Sequence, residues 1–512
     1  MTYMKPNFFT TLLSLLTFQL GIAQNIKGKI IDSSTGESIP YANIKVNKSE
    51  NLVSNAEGFF TLSENNSKDE TLLTVSYLGF VNMALTVAEL KKLDYTVGLA
   101  PGVFELNDVT VSNVKPNPYE IMANVKANLA RNYATGETGS KDMLFYRSSD
   151  NFKPSLIDVE INKSTGFTKQ ALNKVNTDLK AFSKQLISHP PQEFTDILCN
   201  YYSVKTKKGD KILFNSKLNV LKATVLKNEG RSSSVDDLEK TAMNMMLQHL
   251  DSTKYYRAKS GLFGSRDTIS LRKDFNKKKK TAVDIEINSQ LTATKASLNS
   301  FLSDANFLIS KKLDFIKKTD LYDYTYEGET YTSDNEFAYV LSFKPRRSKA
   351  KYLGKLYISE ADYAILRTDY VLDEGEKLNS FNMKFLLGIK AYENVSKGTI
   401  TYKKKAEDDS YYMQYAAIEK GNYFYLNRPL KFIELTSSEK DVLALDIKIE
   451  ANTSNKIEFL NMSRTKTSLA TFEKIKEADF KFTTIKSYDP TIWKDYNAIE
   501  PLQEMKQFKA MN

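Results

Sequence analysis

One cysteine, two histidines and one tryptophan occur in 512 residues, and each scarcity closes off a class of chemistry. A single cysteine cannot form an intrachain disulfide, so packing must hold the fold together. Cys199 ends the run Phe194-Thr195-Asp196-Ile197-Leu198, whose apolar spacing predicts a helix. Its thiol is expected to be buried and to act as a small hydrophobe rather than a nucleophile. A zinc peptidase needs two imidazoles and a carboxylate, or an equivalent set, around an open metal position. His189 precedes Pro190-Pro191, His249 rides the apolar stripe of a predicted helix, and no H-E-x-x-H or H-x-x-E spacing exists. There is no G-x-S-x-G elbow, which Leu262-Phe263-Gly264-Ser265 does not supply, and no G-x-x-x-x-G-K-S/T phosphate loop. Carboxylates are abundant, but no pair stands out as an acid and a base, and hydrolysis by two carboxylates stays open. No catalytic, cofactor-binding or metal residue is nominated.

Long apolar runs are equally scarce. The run from Leu12 to Leu20 follows Lys5 and leads into the small residues Gly21-Ile22-Ala23. This pattern predicts a secretory signal peptide cut between Ala23 and Gln24. The run is short for a span, which needs roughly 20 apolar residues. The residue directly after the cut is Gln24, not a cysteine that could carry a lipid. The expected location is the periplasm or the periplasmic side of the outer membrane, where peripheral membrane contact is open.

Charge is present in excess of one sign, 72 Lys and Arg against 62 Asp and Glu, a formal +10. The basic residues cluster at 277–280, 344–351 and 403–405, each beside a strand-like run, and read as solvated hairpin tips. Nucleic acid would call for such clusters interleaved with stacking aromatics on one face, and none is expected as a partner. Attraction to anionic lipid or polysaccharide remains open.

The residues from Gln24 to about Ser112 alternate short β-rich runs with turns. Gly28-Lys29-Ile30-Ile31-Asp32 enters the turn at Gly36, Ala42, Ile44 and Val46 alternate with polar neighbours, and Gly58-Phe59-Phe60 follows a second turn. With Ile39-Pro40, Ala42-Asn43 and Ser76-Tyr77-Leu78-Gly79-Phe80, this order resembles the carboxypeptidase-regulatory-like domain. The resemblance implies an immunoglobulin-like or transthyretin-like sandwich, common in front of TonB-dependent receptors of Bacteroidota-type bacteria, and implies no peptidase activity. Val97-Gly98-Leu99 and 106–111 look like its last strands.

Beyond Lys115-Pro116-Asn117-Pro118 a capped helix is predicted, with Ile121, Met122, Val125, Leu129 and Tyr133 on one side. Leu172, Val175, Leu179, Phe182 and Leu186 form a second stripe, 192–202 restarts a helix, and 238–249 carries a third stripe. From about Tyr255 strands dominate: 268–272 with 281–287, then, after a helix at 291–302, a series at 321–326, 337–343, 353–359, 363–372, 381–392, 398–404, 410–419, 432–435 and 442–449. Such a meander must curl or close. Its hairpin at 337–370, with Gly354-Lys355-Leu356-Tyr357-Ile358-Ser359 and Tyr363-Ala364-Ile365-Leu366-Arg367, is similar to the lipoprotein-carrier (LolA/LolB-like) half-barrel. That likeness implies a curved sheet around helices with an apolar pocket. The end, from Ile492 to Pro501, resembles the tail of envelope proteins that pair a regulatory-like sandwich with such a sheet.

The expectation is therefore a multidomain, mainly β chain: a signal peptide at 1–23, the sandwich at 24–112, a mainly helical connecting region with one strand at 113–254, a large curved antiparallel sheet or half-barrel at 255–460, and a tail packing on that sheet at 461–512. The expected role is an exported, non-enzymatic envelope protein that binds an apolar, glycan or protein partner through the curved sheet. The alternative is a carboxylate-based hydrolase of the envelope.

Overall fold

The computed structural model describes residues 25–47, 50–104, 115–134, 139–166, 168–208, 211–227, 254–260, 263–270, 289–332, 336–405, 408–435, 442–493, 495–496 and 499–508. The expected signal peptide, the helix at 238–249, the basic tip at 277–280 with the strand at 281–287, and the last sandwich strand at 106–111 lie outside these residues. The chain divides into two compact units, one of residues 1–101 with 489–502, the other of 102–488 with 503–512.

The first unit holds β1 (Ile26–Asp32), β2 (Asn43–Val46), β3 (Glu50–Val53), β4 (Phe59–Leu62), β5 (Leu72–Ser76), β6 (Met83–Thr86), helix α1 (Val87–Lys92) and β7 (Thr96–Leu99). Two sheets, β4-β1-β7 and β3-β2-β5-β6, close over a core that includes Ile30, Ile44, Phe60, Leu73, Val75 and Val97. The predicted alternation is visible in β2, where Ile44 and Val46 are buried and Asn43 and Lys45 half-buried. β1 and β7 are parallel, which requires a crossover, and α1 lies in it, started by a reciprocal capping box between Thr86 and Glu89. Gly58 turns at φ +80° with the Ile30 carbonyl 2.7 Å from where a Cβ would sit, so glycine is demanded there.

The second unit is one 15-stranded sheet among the described residues, curved and not closed. Its strands are β8 (Val103–Phe104), β9 (Gly139–Ser164), β10 (Gln192–Lys208), β11 (Lys211–Leu226), β12 (Tyr255–Ser260), β13 (Phe263–Ser270), β14 (Tyr322–Tyr331), β15 (Phe337–Pro345), β16 (Tyr352–Ser359), β17 (Ile365–Leu372), β18 (Leu378–Met383), β19 (Ile389–Lys404), β20 (Tyr411–Glu434), β21 (Val442–Thr467) and β22 (Thr483–Ile485). The main path runs β22-β11-β10-β9-β21-β20-β19-β17-β16-β15-β14-β8. From β14 to β17 and on through β19, β20 and β21 it is the expected antiparallel meander. The helices are α2 (Pro118–Tyr133), α3 (Lys169–Ser188) and α4 (Gln290–Asp304), with shorter turns elsewhere. Among the described residues no helix is long and apolar enough to cross a membrane.

Several expectations are corrected. Among its described residues the region 113–254 is not mainly helical: β9, β10 and β11 belong to the large sheet, which also takes in β8 and so draws on strands well before Tyr255. Residues 192–202 and Cys199 lie in β10, not a helix. Phe194, Ile197, Leu198, Cys199, Tyr201 and Tyr202 are all buried, on both faces of an interior strand. A strand covered on both sides reads as a continuous apolar run and mimics a helical stripe. The strands at 410–419 and 432–435 are one strand, and the one at 381–392 is cut by a helical turn at 384–387. The tail is shared: β22 pairs with β11, whereas 489–502 belong to the first unit. There Glu500 accepts from Thr61, lies 3.9 Å from Lys27, and Asn55 donates to the Pro501 carbonyl at 3.3 Å.

Candidate functional site

The concave face of the large sheet is filled by the chain's own helices. Asn117 caps α2 through the Tyr119 amide at 3.0 Å, Pro118 takes the first turn, and the stripe Ile121, Met122, Val125, Leu129 and Tyr133 is buried as predicted. Ser289 caps α4, whose Phe301 packs edge-on against Tyr146 (6.1 Å between ring centres) and tilted against Phe459 (5.8 Å). Beyond α4, Phe307, Leu313, Phe315 and Ile316 plug the sheet, with Phe315 stacked on Phe343 at 4.4 Å. Helix α3 packs elsewhere: the Leu172, Val175 and Leu179 of its stripe meet Ile161, Tyr256, Phe432 and Leu445.

Two of the hollows among the described residues lie beside α4. The larger, about 670 Å³, lies between the α4 residues Ser297, Ser300 and Asp304 and the strands carrying Tyr352, Ser396 and Lys420. Its wall holds five lysines, Lys311, Lys312, Lys349, Lys351 and Lys420, against the carboxylates Asp304, Asp314 and Glu393. Asp304 bridges Lys312 and Lys420, the latter at 3.4 Å. Burial and the adjacent Lys312 cation hold the Lys420 ammonium below the ordinary lysine value. Burial is the largest influence on Lys312 and opposes its charge, but the bonds to Asp304 and Lys420 and the nearby carboxylates of Asp304 and Glu393 together raise it. Asp314 accepts from the Tyr322 hydroxyl at 2.6 Å, Glu393 accepts from Asn379 at 3.2 Å, and Lys351 is paired with Glu376. Lys311 and Lys349 make no hydrogen bond or ion pair among the described residues.

The second hollow, about 450 Å³, is ringed by tyrosines. Its hydroxyls already serve the fold: Tyr201 donates to Asn299 at 2.8 Å, Tyr133 to the Ile365 carbonyl at 2.9 Å and Tyr402 to the Ala305 carbonyl at 3.3 Å. Arg464 and Asn461 both reach Asp142, at 3.2 and 3.0 Å. The larger hollow is thus the one with cations left to bind something.

The residues weighed from sequence lie apart from both. Cys199 is buried, with its thiol pushed up to about 12 by desolvation. His189 is exposed at the end of α3, 2.9 Å from the Ser188 hydroxyl, and His249 is outside the described residues. Lys404 and Lys405 pair with Asp362, Asp408 and Asp409. Lys349 and Lys351, read as part of a solvated tip, do lie in the turn between β15 and β16, where Lys349 is exposed, and both also line the larger hollow. Among the described residues no three His, Cys, Asp or Glu side chains group to hold a metal ion.

The family model for the CarboxypepD_reg-like domain matches residues 26–111. Residues 26–111 are a CarboxypepD_reg-like domain. The match carries no statement of activity, and of the large sheet it includes only β8. No curated protein matches the chain. Among solved structures, a chain from the complex structure of Pseudomonas aeruginosa MucA/MucB is 7% identical over 71% of this chain and 98% of its own, with a TM-score of 0.14. So low a score carries no argument about fold or partner, and the lipoprotein-carrier likeness of 337–370 gains nothing from it.

Proposed function

We propose that this is an exported, non-enzymatic envelope protein whose large sheet binds an anionic, hydroxyl-rich ligand of glycan size in the larger hollow. The signal-like leader supports the location, and the CarboxypepD_reg-like domain serves as a structural or interaction module. The observation that carries the reading is the hollow's wall: five lysines face three carboxylates, and two of the lysines, Lys311 and Lys349, are uncommitted. An apolar ligand would have to strip water from those ammoniums with nothing in return, a cost it cannot offset. An acidic sugar would pair with them and exchange hydrogen bonds with Ser297, Ser300 and Asn455. Each carboxylate is already held by a cation, a hydroxyl or an amide, an arrangement that suits binding better than the paired acid and base of a hydrolase.

Calorimetric titration with uronic-acid oligosaccharides and their neutral counterparts tests this. The acidic series should bind, weaken with salt, and lose about tenfold or more in affinity on Lys311→Ala with Lys349→Ala. Equal binding of the neutral series, or no loss in the double variant, would refute it.

A further inference from the structure

Between β18 and β19 the chain makes a single helical turn, 384–387, stopped by Gly388 at φ +65°. A Cβ on Gly388 would fall 2.0 Å from the Asn427 carbonyl oxygen, so the tight closure depends on glycine. The closure throws Phe385 and Leu386 outward, 104% and 80% exposed, with Phe381 at 47% beside them. No other large apolar side chain among the described residues exceeds 55%. Apolar surface left so open marks a contact site.

The surroundings indicate the kind of contact. Tyr392 and Tyr423 stack at 4.8 Å behind the tip. Lys377 lies 4.6 Å above Tyr392, Lys384 lies 4.4 Å above Tyr425, and Lys390 reaches both Tyr392 and Tyr423 at 5.5 and 5.8 Å. From Lys377 to Tyr392 the sequence carries three lysines and no Asp or Glu. Asp373 and Glu374 precede this stretch, and of the other flanking carboxylates Glu376 pairs with Lys351, Glu393 accepts from Asn379, and Glu450 accepts from the Tyr423 hydroxyl at 2.8 Å. An apolar point inside a collar of tyrosine and lysine matches the layering of a lipid interface, with acyl chains beneath headgroups.

We propose that the 381–388 tip inserts into an anionic lipid surface, Phe385 and Leu386 entering the acyl boundary and Lys377, Lys384 and Lys390 meeting headgroup phosphates. Two side chains on a projecting turn are far too little for a stable protein interface, which needs roughly 800 Å² from each partner. A fluid bilayer needs no shaped complement. β18 also carries Leu378 and Asn379 into the wall of the larger hollow, so an inserted tip would hold that hollow at the membrane surface. The inference stands on its own observation and does not require the ligand proposed above.

Co-sedimentation of the purified chain with phosphatidylglycerol–phosphatidylethanolamine vesicles, compared with phosphatidylcholine alone, is the test. Binding should favour the anionic vesicles, weaken with salt, and fall by about tenfold or more for Phe385→Ser with Leu386→Ser. The melting temperature should not change, because neither side chain is packed. In a Trp493→Phe background, the indole introduced by Phe385→Trp should shift its emission to the blue on adding vesicles. Lys311→Ala with Lys349→Ala should sediment as wild type, which separates this result from the fate of the ligand hollow. Absence of wild-type binding, equal binding of the double serine variant, or an unshifted emission would overturn the proposal.

Discussion

Arg147 and Asp196 sit opposite one another on β9 and β10, joined by two bonds of 2.7 and 2.8 Å and almost wholly buried. A pair this deep adds little over an apolar substitute, but removing one partner strands the other charge. Asp196→Ala should therefore cost about 3–5 kcal/mol, read from the denaturant midpoint at constant slope. Glu329 gives a pH-dependent counterpart. Burial raises its pKa, the Tyr326 hydroxyl partly counters this, and Glu360 adds to the rise. The folded chain thus holds that proton more tightly than the unfolded one. Its contribution is complete below the ordinary carboxylate value and is lost as the pH climbs through the raised one. Glu329→Gln should melt above wild type on the alkaline side of that window, with the gap closing on the acid side. Parallel melting profiles would contradict it. At this scale the sequence was partly legible: the burial of Cys199 could be read from its apolar neighbours, whereas the Arg147–Asp196 pair depends on a register between distant strands.

The strand β15 shows how far periodicity carries an element. Tyr339, Leu341 and Phe343 point to the helix-filled face together with Leu356 and Ile358 of β16, as alternation predicts, while Phe337 at the strand's start is exposed. The opposite face does not simply meet water: Ala338 and Val340 are buried as well. Ser342 is half-buried and donates to Glu327 at 2.6 Å. Leu341→Asp should cost on the order of 3 kcal/mol or more, and Ser342→Asp, which sets a second carboxylate beside Glu327, roughly 1. Equal costs in denaturant unfolding would show the register to be wrong. Helix positions were legible because caps and stripes are local, as in α2. Their partners were not, since a stripe such as that of α3 states only that some apolar surface covers it. The long strands were cut short in the sequence reading because polar stretches such as Lys420-Gly421-Asn422 look like turns. In β20 they continue the ladder, Gly421 paired with Val395 and Ser454.

At the scale of the molecule, the motif that marks the CarboxypepD_reg-like domain is contiguous and was read from its glycines and alternation. The contribution of 489–502 to the same unit was not, being some 440 residues away, as with Asn55 and Pro501, whose separation is 446. Glu500→Ala should remove the contacts to Thr61 and Lys27 and destabilise the first unit by roughly 1–3 kcal/mol. Calorimetry should then lower one of two melting transitions and leave the other in place. A single unmoved transition would count against this. The larger hollow was illegible for the same reason. Lys311, Lys312, Lys349, Lys351 and Lys420 come from separate stretches that only the sheet's curvature and the plug after α4 bring together. Its role can be measured by lysine footprinting, with reductive methylation of the intact protein followed by mass spectrometry, with and without an acidic envelope polysaccharide fraction. The ligand should protect Lys311, Lys349 and Lys420 and leave Lys184 on α3 unchanged; uniform labelling of all four with and without the polysaccharide would contradict a ligand in the hollow.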